Sequence, residues 1–68
     1  MTDAQKQSIR SAMEAYELYL LTKVKIFNSF HYSSVKAVRE NLHMSTLVCR
    51  DCEESVNYFK EIYEIYKN

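Results

Sequence analysis

Cys49-Arg50-Asp51-Cys52 is the group of residues whose types and spacing come closest to doing chemistry unaided. Two thiols three positions apart can close a disulfide, exchange it with other thiols, or supply half of a zinc site. Redox use calls for a lowered thiol pKa, which a helix N-terminus provides if Thr46 is an N-cap and Cys49 falls in the first turn. Zinc needs four ligands, and only His31 and His43 add imidazoles. His43 is within reach of Cys49, whereas His31 lies too far along the chain. If a helix instead runs through the motif, both thiols are small core hydrophobes one turn apart. An unaccompanied C-x-x-C is a weak signal, so core packing is the expected role, with redox and metal binding as alternatives. No metal or cofactor is expected.

A second group is cationic. Between Leu18 and Arg39 stand Lys23, Lys25, Lys36 and Arg39 with no acidic residue, interleaved with Phe27, Phe30, His31 and Tyr32. Such a group can meet phosphates or an acidic partner, but four charges give only a weak, salt-sensitive contact with nucleic acid. The chain carries nine basic and nine acidic side chains, and a dedicated nucleic-acid binder normally shows a basic excess. A solvated helix surface is the preferred reading. Motifs for catalysis are missing: there is no Gly-rich phosphate loop, no H-E-x-x-H and no G-x-S-x-G. The adjacent Glu53 and Glu54 point different ways on a helix. Neither an enzyme nor a small-molecule substrate is expected.

The elements that must position these residues read as helices. The 68 residues include no Gly and no Pro, so nothing interrupts a helix and no residue is specialised for a φ > 0 turn. Thr2 and Gln5 fit a capping box. Ile9, Met13, Tyr16, Leu20, Val24 and Phe27 then recur at three–four spacing, which predicts a first helix from about Asp3 to Phe30. Residues 28–34 (NSFHYSS) form the best break, with either Ser33 or Ser34 able to cap the next helix. Val35, Val38, Leu42, Cys49, Cys52, Val56, Phe59, Tyr63 and Tyr66 resume the spacing, with one polar slot near Ser45. That pattern predicts one long second helix to Lys67, or two helices if the chain breaks at Ser45-Thr46; the preserved register favours the long helix. The expected fold is therefore all-α: a single domain, 1–68, built as an antiparallel helical hairpin. Its register sets Glu14 near Arg50 and Arg10 near Glu53 and Glu54.

A hairpin leaves apolar side chains over. Ala12, Tyr19, Ile26 and Phe30 make a second row beside the first stripe, and the two together cover an arc of roughly 160°. Leu47, Tyr58, Ile62 and Ile65 flank the C-terminal stripe in the same way. Unless a third helix covers them, these eight residues are the candidate partner-binding surface, because contiguous exposed apolar patches mark partner sites. Six tyrosines, large and polar-tipped, suit an interface. The expected function is a non-catalytic protein–protein interaction module, a small regulator, inhibitor or chaperone-like adaptor. It completes a helical bundle as a homodimer or with a protein partner. The alternative is a dimeric nucleic-acid-binding regulator using the basic tip. An acidic, polar N-terminus and an apolar run broken by Lys23 and Lys25 suggest neither a secretory signal nor a membrane span, and two closely spaced cysteines do not make a secreted scaffold, so a cytoplasmic location is expected.

Overall fold

The computed structural model describes residues 2–25, 27–45, 49–50 and 52–67. Among them are three α-helices and no strand: α1 (Asp3–Thr22), α2 (Ser29–Asn41) and α3 (Glu54–Tyr66). The all-α expectation holds, but two long helices are replaced by three shorter ones. The expected pairing of Glu14 with Arg50 and of Arg10 with Glu53 and Glu54 is absent; the ion pair formed among the described residues joins Arg39 to Glu61.

The ends of α1 and α2 have local causes. At the start of α1, Gln5 N–H donates to Thr2 Oγ1 at 3.1 Å and Thr2 N–H donates to Gln5 Oε1 at 2.8 Å, the predicted reciprocal cap. The helix stops at Thr22, eight residues short of the expected end. There the Thr22 hydroxyl donates back to the Leu18 carbonyl at 2.9 Å and accepts from Val24 N–H at 3.2 Å. Lys23 comes next at φ 60°, its N–H on the Tyr19 carbonyl, a left-handed stop made without glycine. Asn28, rather than Ser33 or Ser34, caps α2 through a second reciprocal box with His31. The other end of α2 is a Schellman closure with His43 at φ 57°: His43 N–H reaches the Glu40 carbonyl and Met44 N–H the Arg39 carbonyl. This closure breaks the expected long helix, and the polar slot at Ser45 lies just beyond it.

The breaks let the chain cover its own apolar faces. Gln5 and Ile9 of α1 line one cleft with Val38 and Asn41 of α2, with Leu42 just past its end and with Tyr66 of α3. Farther along, Tyr16 meets Tyr63, and Tyr19 meets Phe27. α1 therefore runs antiparallel to both other helices, and Phe59 of α3 meets Tyr32 near the beginning of α2. The core comprises Ala12, Ala15, Tyr16, Tyr32, Val35, Val38, Phe59 and Ile62. Alanines at 12 and 15 let the backbones approach, and Phe59 fills the centre. Leaving the helix at Lys23 swings Phe27 onto Phe59, ring centroids 4.1 Å apart and stacked, while Tyr32 meets Phe59 edge-on at 5.6 Å. Such ring pairs add about 0.5–1.5 kcal/mol each beyond the area they bury.

Candidate interaction surface

Covering by a third helix divides the eight apolar candidates. Ala12 and Ile62 are fully buried in the chain's own core, so neither is offered to a partner by the folded chain. Tyr19 and Tyr58 are half-buried, whereas Phe30 and Ile65 are exposed. Ile26 and Leu47 lie outside the described residues. The two rows are thus not presented together as one face.

The larger exposed apolar feature is elsewhere. Leu18 is 50% exposed, Leu20 39% and Leu21 81% at the C-terminal end of α1, and Val24 just past it is 54% exposed. Leu20 and Val24 belong to the stripe expected to be packed; Leu18 and Leu21 belong to neither row. A signal is present in the run Leu18-Tyr19-Leu20-Leu21. Three steps of about 100° carry four consecutive side chains most of the way around a helix, so one neighbouring surface cannot bury them all. Tyr19 takes the inward position against Phe27, which turns Leu18 and Leu21 outward.

Leu21 stands between two shallow hollows. One, about 260 Å³, is lined by Glu14, Glu17, Leu18 and Leu21. The other, about 310 Å³, is lined by Glu17, Leu20, Leu21 and Tyr63. The feature is a ridge with a depression on either side. It also has polarity: Glu14 and Glu17 lie toward its N-terminal end, and Lys23 and Lys25 lie past its C-terminal end.

The basic group is dispersed by the fold. Lys23 and Lys25 are exposed in the α1–α2 connection, and Lys36 is exposed on α2. Arg39 is only 4% exposed and fully engaged. Its Nε donates to the Ser45 carbonyl at 2.7 Å, its Nη1 pairs with Glu61 Oε2 at 2.8 Å, and its guanidinium lies 4.8 Å from the Tyr58 ring centroid. It clasps α2, the returning connection and α3 together, a structural use that sequence reasoning missed. Arg50 joins Lys36 instead, the two lining a hollow of about 210 Å³ with Tyr32 and Ser33.

Nor are the two cysteines on a packed helical stripe. Cys49 is exposed, Cys52 half-buried, and the pair forms a disulfide in the connection before α3. Core packing of free thiols is therefore corrected. The proposed cap at Thr46 lies outside the described residues, and α3 begins only at Glu54. Among the described residues no group of three or more His, Cys, Asp and Glu could hold a metal ion, and no helix is long and apolar enough to cross a membrane. The chain matches no family model, no curated protein and no solved structure.

Proposed function

We propose that this chain is a non-catalytic protein–protein interaction module whose docking surface is the leucine ridge at the end of α1, and that a second copy of the chain occupies it. The observation that carries the reading is Leu21, a large apolar side chain left 81% exposed between two hollows. A ridge flanked by hollows is complementary to itself, since a knob on one copy can enter the depression on another.

Charge sets the direction. Laid antiparallel about a two-fold axis between Leu18 and Leu21, each copy's Leu18 faces the other's Leu21. The acidic end of one ridge, Glu14 and Glu17, then lies toward the basic end of the other, where Lys23 and Lys25 follow the helix. A parallel pairing brings like charges together at both ends. Isologous two-fold contacts of this kind are the commonest form of self-association. Four apolar side chains per copy make a patch smaller than the roughly 800 Å² per partner of a standard interface, which supports a reversible dimer in the micromolar range.

Sedimentation equilibrium of the wild-type chain and of Leu21→Asp tests the reading. Burying most of a leucine contributes about 2 kcal/mol, so loss at both symmetric positions is worth about 4 kcal/mol, or about a thousandfold in Kd. A monomeric wild type at high micromolar concentration contradicts it. The nucleic-acid alternative loses ground because Arg39, one of its four cations, is held inside the fold.

A further inference from the structure

The two hollows beside Leu21 differ in how they are built. Glu14, Glu17, Leu18 and Leu21, which line the first, stand at i, i+3, i+4 and i+7 of α1. Four residues at that spacing form the hole that takes a knob from a facing helix. The second hollow begins the same way, with Glu17, Leu20 and Leu21 at i, i+3 and i+4. Its i+7 position is Val24, but α1 ends at Thr22 and Lys23 turns left-handed, and Val24 does not line the hollow. Tyr63 of α3 is the fourth wall instead.

That wall is held from behind. The Tyr63 ring lies 5.1 Å from the ring of Tyr16, a core residue, while Tyr63 itself is only half-buried. A ring packed on the core and lining a hollow offers a partner apolar area at little further cost in side-chain freedom. One glutamate lines this hollow against two in the first, so it is the more apolar seat.

We propose that Tyr63 carries the ridge interface from α1 onto α3. Leu18 of a second copy seats in the hollow of Glu17, Leu20, Leu21 and Tyr63, and Leu21 of that copy seats in the hollow of Glu14, Glu17, Leu18 and Leu21. The seating rests on the antiparallel self-association of the ridge. With the two-fold axis between Leu18 and Leu21, the middle of the first hollow, between residues 17 and 18, lies opposite Leu21 of the other copy. The middle of the second, between residues 20 and 21, lies opposite Leu18. A free α1 helix is therefore an incomplete partner. One hole of each pair exists only where α3 packs beside α1, so the contact selects the folded bundle.

The full chain is synthesised with photo-leucine, a diazirine analogue of leucine, at position 18 or at position 21. Mixing it with chain labelled with heavy nitrogen separates cross-links between copies from those within one. After irradiation, peptide mapping should place cross-links from position 18 on the Tyr63 peptide of the other copy, and those from position 21 on α1 and not on α3. In sedimentation equilibrium, Tyr63→Ala should raise Kd at least about tenfold, while Tyr63→Phe, which keeps the ring, should stay within about twofold of wild type. Circular dichroism establishes that each variant is folded, and the cross-links decide the matter if Tyr63→Ala is not. A wild-type dimer whose position-18 cross-links avoid α3, or a folded Tyr63→Ala that dimerises as wild type does, overturns the role of Tyr63 and leaves the self-associating ridge standing. A wild type that stays monomeric at high micromolar concentration overturns both.

Discussion

Replacing Arg39 by methionine should damage the fold rather than any binding activity. The side chain is almost wholly buried, and it reaches the Ser45 carbonyl, Glu61 and the Tyr58 ring at once. Hydrogen bonds to a charged group contribute about 1.5–3 kcal/mol where desolvated, but the Glu61 side chain is 47% exposed, so solvent screening discounts that pair to about 1 kcal/mol. The Ser45 bond and the ring contact add about 1 kcal/mol together, and methionine keeps much of the aliphatic packing. The sum is about 2 kcal/mol. For a chain of 68 residues, whose total stability is about 3–10 kcal/mol, that lowers Tm by about 10–15 °C. Thermal unfolding tracked by circular dichroism measures it, and a double-mutant cycle with Glu61→Gln should return a coupling of about 1 kcal/mol. Heparin retention should be unchanged. A stable Arg39→Met that loses heparin retention refutes the reasoning, because the guanidinium would then be a surface cation.

Two further substitutions separate local causes. His43→Gly relieves a left-handed backbone in the Schellman closure of α2, and should raise stability by about 1 kcal/mol in urea unfolding, with no change in slope. Ile62→Lys and Ile65→Lys, adjacent on one helix and both apolar candidates from the sequence, should differ sharply. At Ile62, fully buried, a lysine should abolish cooperative unfolding, whereas at Ile65, 51% exposed, it should cost less than about 1 kcal/mol.

Helicity and the N-terminal cap were legible in the sequence because both are local: the absence of Gly and Pro, the three–four spacing, and Thr2 with Gln5. The helix count was not, because spacing alone does not register a chain that leaves the helix and returns in phase. Val24 and Phe27 continue the stripe arithmetically, yet Lys23 adopts a left-handed conformation between them and Tyr19, and Phe27 reaches Phe59 from a connection rather than from a helix. Without glycine, nothing in the composition marked Lys23 or His43 as stops; hydrogen bonds by Thr22 and to the Arg39 and Glu40 carbonyls define them. Of the candidate site, the excess of apolar surface was legible but its location was not. With Ala12 and Ile62 both buried in the chain's own core, the exposed surplus is at Leu18, Leu21 and Val24. Arg39 and Arg50 exchanged their expected roles. Arg39 is the buried cation because the Ser45 carbonyl, Glu61 and the Tyr58 ring all meet around it.

Sedimentation equilibrium of charge-reversed chains tests antiparallel docking of the α1 ridge most directly. Glu14→Lys and Lys25→Glu are both at exposed positions, so each leaves the core untouched. Each alone should weaken the dimer by bringing like charges to the facing ends of the two ridges, and the two combined in one chain should restore it. A wild type that stays monomeric, or a double variant no tighter than the singles, contradicts the account.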